Sequence, residues 1–211
     1  MVVRAIAGCV AAHARLLGDI EALTDDAARG LSLLPGWTVG HVLTHLARNA
    51  AGFIGMIEGA ERGEVVAQYP SLAVRTADIE AGAGRPAQVI VADVGATVAR
   101  LENAWRTSSP AGWAGNGLTI VGPTPIVEIP SRRWREVEVH HADLGLGFTT
   151  QDWSSEYVRH ELVRMHMLWA SRRPMGMTML PDAALAESPH RRLAWLLGRA
   201  TIDGLEPAGI F

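Results

Sequence analysis

The sequence of 211 residues contains no lysine, and all 19 of its basic residues are arginine. A Schiff-base lysine, an anchor for pyridoxal phosphate and the lysine of a phosphate-binding P-loop are therefore excluded. Cys9 is the single cysteine, which excludes an internal disulfide and a cysteine-rich zinc or iron–sulfur site. A chain of this size without disulfides is typical of the cytoplasm, where we expect it to reside.

Charge and long apolar runs are also scarce. Charged residues make up 19% of the chain and the net charge is −3, so the basic excess of a nucleic-acid-binding protein is missing. No apolar run reaches the roughly 18 residues of a membrane span, and no leader segment is recognisable at the N-terminus. Hydrophobic residues account for 48%, which is enough for one buried core and a small appendage.

Four segments of the first 150 residues show the three- and four-residue spacing of apolar side chains that is typical of amphipathic helices. In the first of them, Ile6, Val10 and Leu17 are expected to face inward. The connection at 59–84 is predicted to be long and to contain short structure, and the one at 108–130 to be a loop with a short strand at Leu118–Val121. The pattern predicts a four-helix bundle over residues 1–150, with helices at Val2–Leu23, Val39–Ile57, Val89–Trp105 and Ser131–Leu144.

The remaining residues, 151–211, predict a small C-terminal domain. Helices are expected at Ser155–Arg172 and Pro189–Arg199, with a break and a possible strand over 173–179. The fold class is therefore mainly α: a four-helix bundle followed by a small, shortened α/β region. Because this region is too short to bury much core alone, we expect it to lean on the bundle.

Two histidine motifs could carry chemistry. His41 and His45 are four residues apart on the second predicted helix, and Glu136 and His140 have the same spacing on the fourth, so each pair shares a helix face. One histidine of the second helix and the Glu136–His140 pair would together supply three ligands for zinc or another divalent transition metal. The spacing alone is equally compatible with histidines that bind no metal and only form hydrogen bonds in the core or on the surface.

The segment Leu34–Ala50, with the sequence LPGWTVGHVLTHLARNA, closely resembles the N-terminal signature of the mycothiol-dependent maleylpyruvate isomerases, which are DinB-like metal-binding bundles. Further matches lie at residues 69–75, 78–85 and 132–145. The likeness covers most of residues 1–153. It implies a DinB-like four-helix bundle as the N-terminal domain, and a C-terminal region that completes the pocket.

The resemblance also implies which residues bind the metal. Carried over, the ligands are His45, Glu136 and His140, and His41 becomes a residue that packs at the helix start. Two alternatives remain open for Asp143, which could accept a hydrogen bond from a ligand imidazole or simply cap the helix end. His141 points about 100° away from its neighbour and is expected to support the bundle or the ligand shell.

Arginine must provide every cationic contact to an acidic substrate, since lysine is absent. Arg75 and Arg85 fall in a matched connection that could close over the metal, and the resemblance implies that Arg199 contributes to activity. Arg75 and Arg199 are therefore the predicted catalytic residues. A solvated face is predicted for three arginines of the fourth helix: Arg132, Arg133 and Arg135.

The implied activity is the isomerisation of maleylpyruvate to fumarylpyruvate. A divalent metal, zinc first among the candidates, would bind the sulfur of mycothiol and lower the pKa of the thiol. The thiolate would add to the cis double bond, the resulting single bond would rotate, and expulsion of the thiol would leave the trans isomer. The expected partners are mycothiol and a small dicarboxylate substrate, with no nucleic acid and no membrane.

Three other functions are compatible with the same residues. A metal-dependent mycothiol S-transferase acting on another electrophile would share every ligand and differ only in its pocket, and the shortened C-terminal region keeps this alternative open. A non-catalytic metal- or thiol-binding bundle would keep the ligands without a closed substrate pocket. A purely structural bundle would bind no metal tightly.

Overall fold

The computed structural model describes residues 2–172 and 178–209. The chain divides into two compact units, residues 1–146 and residues 147–211. The first unit contains α1 (Val2–Ile20), α2 (Asp25–Arg29), α3 (Val39–Glu61), α4 (Leu72–Ala83), α5 (Ala87–Thr107), α6 (Pro110–Trp113), β1 (Asn116–Thr119), β2 (Gly122–Pro125) and α7 (Ile129–Asp143). The second unit contains α8 (Ser155–Ala170), α9 (Asp182–Ala186) and α10 (Pro189–Leu196). None of the described helices is both long and apolar enough to cross a membrane.

The four long helices of the first unit, α1, α3, α5 and α7, form the predicted four-helix bundle. Helix α1 packs against α5 and α7, and α3 packs against the same two helices, so each long helix has two long neighbours. Hydroxyl side chains accept a backbone N–H at the start of six helices, which fixes where these helices begin. These N-cap residues are Thr24, Thr38, Ser71, Ser109, Ser154 and Ser188.

The buried face of α1 is offset from the predicted one. Val10, expected on the inner stripe, is 37% exposed. The ring of Trp134 on α7 occupies the space that a Cβ on Gly8 would need, so α7 approaches α1 along its small residues. Close approach of α7, rather than the positions of the largest apolar side chains, therefore sets the inner face, which consists of Ala5, Cys9, Ala12, His13, Leu16 and Ile20.

The connection at 59–84, which was predicted to contain short structure, contains α4, a helix of 12 residues. The Ser71 hydroxyl accepts the N–H of Val74 at 3.1 Å and begins this helix. Gly82 lies directly against Thr44 of α3, which leaves no room for a side chain at this contact. Because α4 buries only Ile79, Gly82 and Ala83, its apolar pattern in the sequence is weak and did not predict the extent of this helix.

The second connection, 108–130, contains a hairpin rather than a single strand. Strands β1 and β2 pair antiparallel with Thr119 opposite Gly122, so residues 120–121, predicted as part of a strand, form the turn. Gly122 has a φ of +112°, which side-chain-bearing residues rarely adopt. The backbone of β1 also binds the segment after α3: Leu118 donates to the carbonyl of Val66 at 3.0 Å and accepts from the N–H of Gln68 at 2.8 Å.

The described part of the second unit consists of helices and coil. Helices α8 and α10 pack against each other, and the rings of Trp169 and Trp195 lie 5.1 Å apart between them. The predicted strand over 173–179 falls mainly on residues 173–177, which lie outside the described residues.

Arg133 lies at the centre of the bundle, and the prediction that it belongs to a solvated face was wrong. Its side chain has no exposed surface. The guanidinium donates to His13 Nε2 at 3.1 Å, to the carbonyl of Leu46 at 2.9 Å and to Asn49 Oδ1 at 2.9 Å. These three acceptors come from two other helices, so this buried arginine ties α1, α3 and α7 together.

The buried His13 is expected to make the protein less stable as the pH falls below about 6.5. Burial lowers the pKa of His13 to about 4, and its Nδ1 lies 2.8 Å from Glu102. Since the folded pKa is below the unfolded one, the unfolded chain binds a proton that the folded chain does not. The contribution of His13 to the free energy of unfolding is therefore fully present above pH 6.5. It is lost as the pH falls from 6.5 through 4, and the total loss is about 3 kcal/mol.

Urea unfolding at several pH values between 7.5 and 4.5 measures this loss. The matched variant His13→Gln can still accept from Arg133 and donate to Glu102, but its amide does not titrate in this range. We expect the free energy of unfolding of the variant to fall less steeply with decreasing pH than that of the wild type. Equal slopes in the two proteins would show that His13 is not the group responsible.

Candidate metal centre

His45, Glu136 and His140 meet between α3 and α7. The Nε2 atom of His45 lies 3.0 Å from Glu136 Oε2, and the Nε2 atom of His140 lies 3.6 Å from the same oxygen. One ligand atom from each of the three residues lies within 4.8 Å of the other two. The two imidazole rings are perpendicular, with centroids 4.8 Å apart. Two nitrogens and one oxygen thus converge on one point, which is a donor set that suits a divalent transition metal.

Helical spacing explains why these side chains meet. Glu136 and His140 are separated by four residues on α7 and share one face, which packs against α3. His45 lies on the facing side of α3 and is buried, with 5% of its surface exposed. Glu136 keeps 28% of its side chain exposed, so the cluster has one open side.

The electrostatics of the cluster favour the protonation state that binds metal. Burial lowers the pKa of His45 to about 4, so its imidazole is neutral at neutral pH. Burial alone would raise the pKa of Glu136, but the hydrogen bond with His45 and the neighbouring positive charges outweigh it, and this pKa lies well below its usual range. The ionised carboxylate of Glu136 has no proton to release, and binding of a cation at Nε2 of His45 would displace the one proton that this atom donates to Glu136.

Asp143 orients His140. Its Oδ2 atom lies 2.9 Å from Nδ1 of His140, and the aspartate is almost fully buried. A carboxylate that accepts a hydrogen bond from Nδ1–H fixes the tautomer in which Nε2 carries the free lone pair. Nε2 is the atom that faces Glu136. Of the two roles left open for Asp143, the structure shows the hydrogen bond to the ligand imidazole. Besides the three candidate ligands, the site therefore includes a carboxylate that orients one of them for metal binding.

Asp143→Asn is expected to weaken metal binding by about 10- to 100-fold, because an amide supports the required tautomer of His140 less well than a carboxylate. The dissociation constant can be measured by competition with a chromogenic chelator. Asp19→Asn is the matched control, since Asp19 pairs at 3.0 Å with His141, which is outside the cluster. Equal affinities in the two variants would contradict the orienting role of Asp143.

The other histidines of the two motifs lie elsewhere. His41 belongs to the start of α3: its Nδ1 accepts the N–H of Thr38 at 3.2 Å, which leaves Nε2 to donate to Glu80 at 3.3 Å. The predicted role of His41 as a helix-start residue is thus what the structure shows. His141 is buried on a different face of α7, towards α1, where it pairs with Asp19.

Arg75 reaches the candidate site, whereas Arg85 does not. Nη2 of Arg75 lies 3.1 Å from Nδ1 of His45. Arg85 instead donates to Asp93 at 2.8 Å and to the carbonyl of Gly82 at 2.9 Å, and so connects α4 with α5. Arg85 is therefore a structural residue in this arrangement, whereas Arg75 is placed to act at the cluster.

Arg199, the other predicted catalytic residue, belongs to the second unit. Its guanidinium donates to the carbonyl of Leu197 at 2.9 Å, just after α10. A catalytic role for Arg199 therefore stays a prediction.

Two aromatic residues near the cluster were not predicted as functional. The ring of Trp37 lies 5.7 Å from that of His45 and 6.1 Å from that of His41, although the sequence suggested only packing. The ring of Tyr69 lies 5.6 Å from the guanidinium carbon of Arg75. The sequence offered a signal for both, because each lies in a segment that matches the family signature, but an aromatic residue in such a segment is more often a packing residue.

Comparison with known proteins identifies similar sequences and folds. A family model described as "Mycothiol maleylpyruvate isomerase N-terminal domain" matches residues 9–145. Two solved structures, a mycothiol-dependent maleylpyruvate isomerase and a histidine-to-alanine variant of one, share the fold with a TM-score of 0.83 at 23% sequence identity. Each alignment covers 95% of this chain and 90% of the other, so most of the length of those proteins has a counterpart here. No curated protein matches the chain in sequence.

Proposed function

Because this chain belongs to the mycothiol-dependent maleylpyruvate isomerase family, we propose that it converts maleylpyruvate to fumarylpyruvate with mycothiol as the thiol cofactor. The observation that carries the proposal is the cluster of His45, Glu136 and His140 inside the family domain. These residues would hold a divalent metal, with zinc the first candidate because two imidazoles and one carboxylate are a common catalytic zinc set. Bound there, the metal would lower the pKa of a thiol and supply thiolate at neutral pH.

The reaction needs no net proton or electron. The thiolate sulfur forms a bond to one carbon of the cis double bond, and the displaced electron pair moves onto the conjugated carbonyl oxygen as an enolate. The carbon–carbon bond is then single and rotates. When the enolate collapses, the double bond re-forms as trans and the carbon–sulfur bond breaks, which returns the thiolate.

The residues of the chain would bind and orient the reactants. The planar guanidinium of Arg75 is suited to pair with a substrate carboxylate through two parallel hydrogen bonds. A contribution of Arg199 to activity, which the family resemblance implies, is part of the proposal. Trp37 supplies an apolar wall beside His45. We place the enzyme in the cytoplasm, where a low-molecular-weight thiol remains reduced.

The test is to measure bound metal in the purified protein and to follow the absorbance of maleylpyruvate with and without mycothiol. We expect one metal per chain and isomerisation only when both the metal and the thiol are present. Omission of mycothiol and removal of the metal with a chelator are the two controls. Metal binding without isomerisation, but with loss of free thiol in the presence of other electrophiles, would favour an S-transferase instead. Absence of metal after reconstitution would overturn the proposal.

A further inference from the structure

The two histidines of the cluster have opposite hydrogen-bond partners on Nδ1. Nδ1 of His140 faces the carboxylate of Asp143 at 2.9 Å, and a carboxylate accepts a hydrogen bond. Nδ1 of His45 faces the guanidinium of Arg75, whose Nη2 lies 3.1 Å away. Because a guanidinium can only donate, Nδ1 of His45 must carry a lone pair and accept this bond. His45 and His140 are therefore held in different tautomers.

The bond from Arg75 and a cation bound to His45 exclude each other. With the lone pair on Nδ1, the proton of the imidazole lies on Nε2, which donates it to Glu136 Oε2 at 3.0 Å. A cation that binds Nε2 displaces this proton to water, and Nδ1 then takes up a proton from water, so that the imidazole stays neutral. Since Nδ1–H cannot accept a hydrogen bond, metal binding at His45 releases the guanidinium from this ring.

Nδ1–H of His45 then needs an acceptor. Within the described part of the chain, Arg75 is the only hydrogen-bond partner of this nitrogen. Histidines that bind a metal almost always donate their second N–H to a carboxylate, a backbone carbonyl or water. For His140 the protein itself provides the carboxylate, through Asp143. The position beside Nδ1 of His45 therefore suits a carboxylate that comes from a ligand.

The guanidinium of Arg75 also lacks an anionic partner. Arg85 pairs with Asp93 at 2.8 Å, whereas no carboxylate among the described residues forms an ion pair with Arg75. Its guanidinium carbon lies 5.6 Å from the centre of the Tyr69 ring, a cation–π contact that does not involve His45. Arg75 is therefore a cation without a counter-charge next to the cluster.

The first half of α4 leaves Arg75 accessible from solvent. Within residues 71–78, Arg75 is the one partly buried residue, and the others are exposed. The second half of the helix is anchored, because Ile79 is buried and Gly82 packs directly on Thr44 of α3. A small anion can therefore reach the guanidinium without unfolding of the helix that carries it.

We propose that a substrate carboxylate binds between Arg75 and His45 when the cluster holds a metal, and that it accepts hydrogen bonds from the guanidinium and from Nδ1–H of His45. The proposal rests on the proposed function, which supplies the metal and the acidic substrate. The two oxygens of a carboxylate offer about four acceptor positions, enough for a parallel pair of bonds from Arg75 and a further one from Nδ1–H. The carboxylate then serves His45 as Asp143 serves His140, so the metal and the substrate strengthen each other's binding.

Zinc affinity measured with and without succinate tests this coupling. Succinate carries two carboxylates and has no double bond to which a thiol could add. We expect saturating succinate to lower the dissociation constant of zinc, measured by competition with a chromogenic chelator, by about 10-fold, as for other outer partners of a histidine ligand. By linkage, zinc should tighten succinate binding by the same factor in calorimetry. Succinamide, which has the same length but no charge, should leave the zinc affinity unchanged.

Arg75→Met shows whether the effect of succinate depends on the guanidinium. We expect the effect of succinate on zinc affinity to fall below about twofold in this variant. Without succinate, zinc should bind at least as tightly as in the wild type, because the competing donor to Nδ1 of His45 is gone. Arg62→Met is the matched control: Arg62 is exposed at the end of α3, where it pairs with Glu64 at 2.8 Å, and its variant should keep the full effect of succinate.

Nitrogen-15 NMR of the histidine-labelled protein gives a readout that needs neither turnover nor a dissociation constant. In chelator-treated protein Nδ1 of His45 should be unprotonated, and after addition of zinc it should carry a proton. Succinate should then shift the Nδ1–H resonance of His45 in the wild type and leave it in place in Arg75→Met. A proton on Nδ1 before zinc is added would overturn the proposal.

The affinities can overturn the proposal in three further ways. The first is a wild-type zinc affinity that does not respond to succinate. The second is a response that Arg75→Met leaves intact, which would show that the carboxylate binds the metal directly. The third is weaker zinc binding by Arg75→Met without succinate, which would assign Arg75 to support of the ligands.

The proposed function is tested separately, through isomerisation of maleylpyruvate by the wild type. Coupling between zinc and succinate without isomerisation would contradict the proposed function and support the carboxylate site. Isomerisation without coupling would overturn the carboxylate site alone.

Discussion

Glu136→Gln is expected to abolish both metal binding at micromolar concentration and isomerisation. Glu136 is the one anionic member of the cluster, and its Oε2 atom is the point to which both imidazoles converge, at 3.0 and 3.6 Å. Glutamine has nearly the same shape but no charge. Since loss of an outer partner of a ligand already costs about 10- to 100-fold in affinity, loss of the anionic ligand should cost at least about 100-fold.

Two measurements check this expectation. The metal content after gel filtration should fall from about one per chain to near zero, and activity should return only at high added metal, if at all. Glu80→Gln is the matched control, because Glu80 pairs at 3.3 Å with His41, a histidine outside the cluster. A Glu136→Gln protein that keeps wild-type affinity for the metal would show that the three residues are not the ligand set.

Arg133→Met is expected to destabilise the protein by about 3 to 5 kcal/mol, the range for removing one partner of a buried charged network. The change deletes the guanidinium that donates to His13, Leu46 and Asn49 in the interior. Each of these buried acceptors would then lose its bond to the guanidinium, and water cannot replace that donor in a closed bundle. Methionine fills most of the volume, so the loss reflects hydrogen bonding and charge rather than a large cavity.

The neighbouring Arg132 provides the control. It pairs at 3.2 Å with Glu128, which is half exposed, and such a pair contributes about 0 to 1 kcal/mol. Urea unfolding of Arg132→Met and Arg133→Met, followed by circular dichroism and by tryptophan fluorescence, compares two identical changes one residue apart. If the free energies of unfolding of the two variants agree within about 1 kcal/mol, the buried network does not contribute as described.

The candidate ligands are the part of the site that the sequence predicted best. Glu136 and His140 share a helix face through their spacing alone, and the family signature selected His45 over His41. The structure supplies the physical basis for that selection. The Nδ1 atom of His41 accepts the N–H of Thr38 and helps to begin α3, whereas His45, one turn later, lies where α3 packs against α7.

The environment of the ligands could not be predicted, because it depends on residues far apart in sequence. Tyr69, which lies beside Arg75, follows a segment that pairs with β1, and that pairing joins residues about fifty positions apart. Asp143 had two roles compatible with its position at the end of α7. The contact with His140 decided between them, and it depends on side-chain rotation rather than on spacing.

The burial of Arg133 is the clearest feature that the sequence alone did not predict and that depends on the tertiary structure. The sequence by itself determined the four long helices, through the periodicity of their apolar residues. Its composition, which lacks lysine, excluded every site that needs a lysine. Three arginines within four residues predicted a solvated helix face. Successive residues of a helix are rotated by about 100°, however, so adjacent arginines need not lie on the same face. Removal of the Arg133 guanidinium from water costs free energy, and hydrogen bonds to acceptors on α1 and α3 offset this cost. Only the packed bundle brings those acceptors together.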